Sequence, residues 1–167
     1  MQISVTLIKE LREKTSAGVM ECKDALQEAG GDLERACEIL RERGLAKAEG
    51  RTTRTASQGL IEAYVHPGGR LGALVEVNCE TDFVAHTDEF KALAHDLTLQ
   101  VVATAPQFIS AEEIPEGAKL NPEEVCLLSQ TFIKDESKKI EEIVAEVMAK
   151  VGEKVSVRRF ARFELGK

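Results

Sequence analysis

Seven consecutive residues at a predicted strand-to-helix junction combine acidic, hydroxyl and aromatic side chains: Asn78-Cys79-Glu80-Thr81-Asp82-Phe83-Val84. Before the junction, residues 71–79 alternate apolar side chains as a half-buried strand does. After His86, apolar residues recur at helical spacing. A short connection of this kind has a firmly placed backbone and side chains that reach outward. Residues 78–84, the link, are therefore the first candidate for a functional site.

Phe83 can be interpreted in two ways, in a chain of which only 4% is aromatic. In one interpretation the ring folds back into the core, while Asp82 or Thr81 caps the following helix. In the other, the ring stands beside a carboxylate as a wedge for another molecule. The residues alone favour the buried ring and leave the wedge open.

The sequence gives little support for a metal site or for a catalytic nucleophile around the link. Cys79, His86 and His95 match no usual zinc spacing. Cys79 with His86 and Asp82 could form a nucleophile set, but Cys79 ends an apolar strand face and is expected to be a buried apolar residue. We therefore predict a binding protein rather than an enzyme, with no metal and no cofactor.

The basic run 158–162, Arg-Arg-Phe-Ala-Arg, has two explanations. Arginines that flank an aromatic ring suit stacking on nucleic acid. Charges on an edge strand also prevent sheet-to-sheet pairing. The net charge of −7 disfavours bulk attraction to nucleic acid or anionic membrane, so neither is expected as a direct partner.

Cysteine usage and hydropathy indicate a cytoplasmic protein, or a mature organellar protein whose targeting segment has been removed. The four cysteines show no paired spacing, which is typical of a reducing compartment. No signal sequence and no apolar run of membrane-spanning length is recognised.

The first 45 residues predict three short helices that bury their apolar faces against each other. In the second helix, Val19 and Cys22 begin the buried stripe, and Met20 lies about 100° away from it. Met20 is thus packed against a loop or offered to a partner. Asp32 is expected to cap the third helix and Gly44 to close it.

Residues 46–58 are polar and predict a linker whose first part could continue the helix. Residues 59–167 predict a core module: a hairpin, the link, a helix over 88–104, and an irregular stretch. A further helix then starts at Asn121-Pro122 and ends at Gly152, before a third strand. Its alternation slips at Arg158-Arg159, which predicts a bulge or a change of the covered face. The fold class is α+β, with a small antiparallel sheet covered by helices on one face.

The alternation of the strands also predicts a second apolar sheet face. Leu60, Tyr64 and Leu74 are assigned to the face opposite Ile61, Ala63, Val65, Val75 and Val77, and Phe160 to the face opposite Val155 and Val157. A second copy of the chain could cover this face, which predicts a homodimer. Residues 106–134 folding over the face are the alternative.

Three segments resemble one known family, that of elongation factor Ts. They are residues 11–26 (LREKTSAGVMECKDAL), 76–85 (EVNCETDFVA) and 151–159 (VGEKVSVRR). The resemblance runs through the whole chain. It implies a nucleotide-exchange factor for elongation factor Tu, with a ubiquitin-associated-like bundle at 1–45 and the core module after the linker.

The resemblance also implies which residues contact the GTPase domain of elongation factor Tu. Asp82 and Phe83 would enter it near the nucleotide and its Mg²⁺, with Thr81 and Val84 shaping the link. The residues implied on the bundle are Arg12, Val19, Met20 and Lys23.

The chain departs from the family pattern in three ways. Its linker is poorer in Lys, Asp24 stands where a basic residue is common, and there is no room for the second core module of many relatives. Two other function classes stay open: an adaptor for a ubiquitin-like partner, bound through the bundle, and an RNA-binding role. The RNA-binding role would use Arg51, Arg54, Arg158, Arg159 and Arg162.

Overall fold

A computed structural model describes residues 3–15, 17–50 and 53–167. The chain forms two compact units, Met1–Gly50 and Arg51–Lys167. The first is helical, and the second combines helices with antiparallel strands. The predicted α+β class is confirmed.

Three helices make up the first unit: α1 (Val5–Thr15), α2 (Val19–Glu28) and α3 (Leu33–Glu49). They pack around five fully buried residues: Leu11, Cys22, Ala25, Leu26 and Ala36. Asp32 caps α3, since its Oδ1 accepts a hydrogen bond from the Arg35 amide at 3.0 Å.

The predicted end of α3 at Gly44 is wrong, because the helix continues to Glu49. A glycine inside a helix costs only about 1 kcal/mol. The residues that follow, 45–49, are Leu-Ala-Lys-Ala-Glu, all strong helix formers. They outweigh the glycine, and the first part of the predicted linker is helical.

The second unit contains a three-stranded antiparallel sheet in the order β1 (Gln58–Val65), β2 (Leu71–Cys79), β5 (Val155–Glu164). Helix α5 (Asp88–Thr104) packs across β1 and β2, and α7 (Ile140–Val151) packs against α5 and β5. The interior between sheet and helices holds these buried residues: Val75, Val77, Phe90, Leu97, Val101, Ile140, Val144 and Val155. Because β2 is central, the link that follows it leaves from the best-supported strand of the sheet.

The stretch between α5 and α7 contains short elements in place of one long helix. They are a 3-10 turn at Ala111–Glu113, α6 (Pro122–Val125), a 3-10 turn at Leu127–Ser129, and a small hairpin of β3 (Thr131–Phe132) and β4 (Asp135–Lys139). Asn121 caps α6 as predicted, with Pro122 next to it. The hairpin was not predicted, because β4 is Asp-Glu-Ser-Lys-Lys and carries no apolar alternation.

The predicted bulge in the third strand is confirmed and changes which face Phe160 occupies. Glu76 pairs with Arg159 but Val77 pairs with Val157, so Arg158 is the extra residue. The extra residue shifts the in-and-out alternation of side chains by one position. Phe160 therefore lies opposite Val75, on the same face as Val157. The prediction that Phe160 faces away from Val155 and Val157 is therefore wrong.

The predicted faces of the hairpin are also wrong. Residues directly opposite each other in an antiparallel pair share a face. Leu60 pairs with Val77, and Ala63 pairs with Leu74. This register places odd-numbered residues of β1 with even-numbered residues of β2, which strand patterns alone do not reveal.

The sheet nevertheless has a second apolar face, opposite the helices. Its exposed large apolar side chains are Ile61, Val65, Leu74 and Phe163. Residues 106–134 do not cover it. The end of this stretch contacts α5 instead, where the buried Gln100 side chain donates to Thr131 O and accepts from the Ile133 amide, each at 3.0 Å.

Gly59 gives a test of how closely β1 approaches β2. Its φ is +145°, and a Cβ there would lie 2.1 Å from the carbonyl oxygen of Val77. Gly59→Ala should lower the free energy of unfolding by roughly 3 kcal/mol or more, because a steric clash adds to backbone strain. The matched control is Gly68→Ala, at φ +98° with nothing within 4 Å, which should cost about 1–2 kcal/mol. Urea unfolding measures both, and equal losses would contradict the close approach.

Candidate functional site

The link runs from the end of β2 into a single helical turn, α4 (Asp82–Ala85). Thr81 caps this turn, because its hydroxyl oxygen accepts a hydrogen bond from the Val84 amide at 3.4 Å. Val84 and Ala85 are buried and fix the turn to the core. Two neighbouring side chains of the turn, those of Asp82 and Phe83, are directed to solvent.

Phe83 is the most exposed large apolar side chain of the described residues, at 81%. The interpretation that buries its ring is therefore wrong. Thr81 caps the single turn α4, whereas the following helix α5, which Asp82 or Thr81 was expected to cap, is capped by Thr87. The physical reason is the length of the turn: Val84 and Ala85 take the inward positions, and Phe83 is left on the outer side. Beside it, the Asp82 carboxylate lies 3.6 Å from His86 Nδ1, and both side chains are mostly exposed.

The base of the link is held by hydrogen bonds to the turn between α7 and β5. The amide and the hydroxyl of Thr81 donate to Glu153 Oε2 and Oε1, at 2.9 and 2.6 Å. The Lys154 amide donates to Glu80 Oε1 at 2.6 Å. Sequence reasoning missed the role of Glu153, since 72 residues separate it from Thr81.

Cys79 lies beneath the link as a buried thiol that donates to the Thr81 carbonyl at 3.1 Å. Burial is the main cause and the charge of Glu153 the second, and together they raise the pKa of the Cys79 thiol to about 11. The thiol is therefore protonated at neutral pH and is a poor nucleophile.

The residues that the structure describes around the link form no metal-binding cluster. His95 Nδ1 lies 3.1 Å from Glu62 Oε1 and stacks edge-on with Tyr64, so its contacts are with β1. Within residues 3–15, 17–50 and 53–167, no group of three or more His, Cys, Asp or Glu side chains could hold a metal ion. In the same part of the chain, no helix is long and apolar enough to cross a membrane.

On the first unit, α2 begins with two exposed apolar residues. Met20 is 62% exposed, so the prediction that it lies off the buried stripe is confirmed. Val19 is 51% exposed, and its predicted place in that stripe is wrong. As the first residue of α2 it has no preceding helical turn beside it. Lys23, one turn later, and Arg12 on α1 are exposed as well.

The basic residues of β5 are paired within the protein. Arg158 and Arg159 both contact Glu76, at 3.6 and 2.6 Å. Arg162 is mostly buried, donates to Val102 O and contacts Glu164 at 2.9 Å. The strand lies at the edge of its sheet, as the edge-strand explanation expects.

Of the two remaining basic candidates, Arg54 is also paired with a carboxylate. Arg54 lies 3.4 Å from Glu80, and Arg51 lies outside the described residues. Paired arginines on a chain of net charge −7 make a weak site for phosphates.

Comparison with known proteins points to one family. The family model described as "Elongation factor TS" matches residues 47–122 and 118–167. The chain is 46% identical to elongation factor Ts of Desulforamulus reducens, with 99% of this chain and 90% of the relative covered. It is 47% identical to that of Thermotoga petrophila, with 99% and 98% covered. For Coprothermobacter proteolyticus the identity is 44%, with 99% and 100% covered.

The alignments to these relatives are longer than this chain. The alignment to the Desulforamulus protein spans 195 positions against the 167 residues here, so at least 28 positions have no counterpart. The two matched segments of the family model meet at 118–122, before α6.

Proposed function

The chain belongs to the elongation factor Ts family of translation elongation factors, and from this premise we propose that it is a guanine-nucleotide exchange factor for elongation factor Tu in the cytoplasm. The observation that carries the proposal is the Phe83 ring, 81% exposed beside the Asp82 carboxylate on a turn with a fixed base. An apolar ring kept in water in this way suits insertion into a partner. Asp82 and Phe83 would enter the GTPase domain near the Mg²⁺ and nucleotide.

The mechanism follows from thermodynamic linkage. A factor that binds nucleotide-free elongation factor Tu more tightly than the GDP-bound form must weaken GDP binding by the same ratio. Insertion of Phe83 would supply a contact that is more favourable with nucleotide-free than with GDP-bound elongation factor Tu. Burial of one Phe contributes about 1.5–3 kcal/mol, equivalent to roughly 10- to 150-fold in an equilibrium constant.

The first unit supplies affinity that does not depend on the nucleotide. Met20 and Val19 give α2 an exposed apolar contact at the start of the helix, and Arg12 and Lys23 provide positive charges. Exposed apolar residues beside charges are typical of a protein-binding surface. These four residues are proposed to grip the GTPase domain.

The two other function classes have less support. RNA binding would use arginines that are already paired with Glu76 and Glu164. An adaptor that binds a ubiquitin-like partner through the bundle alone would leave the exposed Phe83 ring without a use.

We also propose that two copies associate through the apolar sheet face. The four exposed residues Ile61, Val65, Leu74 and Phe163 lie on one side of the sheet, and the helices cover only the other. A twofold contact would cover this patch with the same patch of a second copy. Each dimer would then carry two links and bind two molecules of elongation factor Tu.

Phe83→Ala should slow the release of fluorescent GDP from elongation factor Tu by about tenfold or more, because the inserted ring is lost. Asp82→Ala should act in the same direction with a smaller effect, since water partly replaces an exposed charge contact. Ile133→Ala, another partly exposed apolar residue of this unit, is the matched control. If Phe83→Ala exchanges as fast as the parent, or melts markedly earlier, the wedge is refuted.

Met20→Ala should weaken binding to elongation factor Tu by about 1–2 kcal/mol, as truncation of a contact hot spot does. The control is Val5→Ala, which removes an exposed apolar side chain from α1. Calorimetry measures affinity and thermal melting measures stability. A lower melting temperature with unchanged affinity would show that Met20 acts within the bundle.

Light scattering at micromolar concentration should give a mass of twice 18.3 kDa. Leu74→Asp should give the monomer mass, because it places a charge in the apolar sheet face that the second copy would cover. The control variant Ile133→Asp should leave the dimer intact. A parent mass of 18.3 kDa together with a one-to-one complex with elongation factor Tu would refute the dimer.

A further inference from the structure

The Glu153 carboxylate uses both of its oxygens on a single residue of the link. Oε2 accepts from the Thr81 amide at 2.9 Å and Oε1 accepts from the Thr81 hydroxyl at 2.6 Å. Hydrogen bonds to an ionised acceptor are stronger than neutral ones. The pair of bonds fixes both the position and the rotamer of Thr81.

A second contact makes the attachment reciprocal. Glu80, the residue before Thr81, accepts from the amide of Lys154, the residue after Glu153, at 2.6 Å. Two consecutive residues of the link are thus joined to two consecutive residues of the α7–β5 turn. This turn is itself constrained, because Gly152 ends α7 in the left-handed conformation at φ 76°.

Thr81 passes this constraint to the turn that carries Phe83. Its hydroxyl donates to Glu153 and at the same time accepts from the Val84 amide at 3.4 Å. With 81% of Phe83 exposed, packing within the chain does little to orient its ring. The direction of the ring therefore depends on the backbone of α4, which is held by Thr81 at its start and by the buried Val84 and Ala85 further on.

We propose that Glu153 is a positioning residue for nucleotide exchange, which holds Thr81 so that Phe83 and Asp82 enter the partner in one orientation. The inference rests on the exchange function proposed above. Glu153 acts through Thr81 and is not proposed to touch the nucleotide. Its removal should lower the rate of nucleotide release within the complex more than the affinity of the complex, because α2 supplies contacts that do not involve the link.

Three variants separate positioning from general stability. Glu153→Ala removes both bonds to Thr81. Glu153→Gln keeps one accepting oxygen and should restore part of the rate. The matched control is Glu142→Ala on the same helix, which also removes a carboxylate bonded to a backbone amide, that of Lys139 at 2.9 Å.

The experiment follows release of fluorescent GDP from elongation factor Tu at rising concentrations of each variant. Glu153→Ala should lower the saturating release rate several-fold, up to about the tenfold expected for loss of the Phe83 ring itself, because a misplaced ring makes only part of its contact. Its half-saturating concentration should stay within about threefold of the parent. Glu153→Gln should lie between Glu153→Ala and the parent, and Glu142→Ala should match the parent.

Hydrogen exchange of the free protein gives a readout that does not involve elongation factor Tu. The Thr81 amide should exchange faster in Glu153→Ala than in the parent, because its acceptor is gone. An unchanged rate of hydrogen exchange at Thr81 would overturn the anchoring contact itself.

The outcomes distinguish this inference from the proposed function. A parent protein that does not accelerate GDP release overturns the exchange function. A parent that does, with Glu153→Ala equally fast, overturns only the positioning role. An equal loss of rate in Glu153→Ala and Glu142→Ala also overturns it, since the effect would then be one of stability.

Discussion

An apolar ring in water keeps one orientation only if the backbone beneath it is held by other groups. In this protein the hydrogen bonds from Thr81 to Glu153 hold the start of the turn, and the buried side chain of Val84 holds the turn against the core. Phe83 itself adds little to the core, so its sequence position is free to serve a partner. The rest of the second unit supports this arrangement. The link follows β2, the central strand of the sheet, and α7 ends just before Glu153.

The same sheet separates the two proposed contacts of the second unit. The bulge at Arg158 keeps Val157 and Phe160 on the face covered by the helices, so that face forms one continuous core. The opposite face retains Leu74 and Phe163 in solvent. A sheet that is apolar on both faces but covered on one can therefore hold the link rigidly and still offer a surface to a second copy.

Local patterns in the sequence predicted most of the fold and the outward position of Met20. They failed where the answer depends on distant parts of the chain. The face of Leu74 depends on the strand register, and the face of Phe160 on where the bulge falls. The choice between a buried and an exposed Phe83 came from family resemblance, because residue type alone favoured burial. Glu153 could not be found, since nothing within the link indicates a partner 72 residues away.

The central claim is that this protein and GDP each weaken the binding of the other to elongation factor Tu. The most direct test is the affinity of the protein for elongation factor Tu, measured by calorimetry over a series of GDP concentrations. Linkage predicts that the apparent Kd rises steadily with GDP concentration, and that saturating protein weakens GDP binding by the same ratio. An apparent Kd that does not change with GDP concentration would contradict the account.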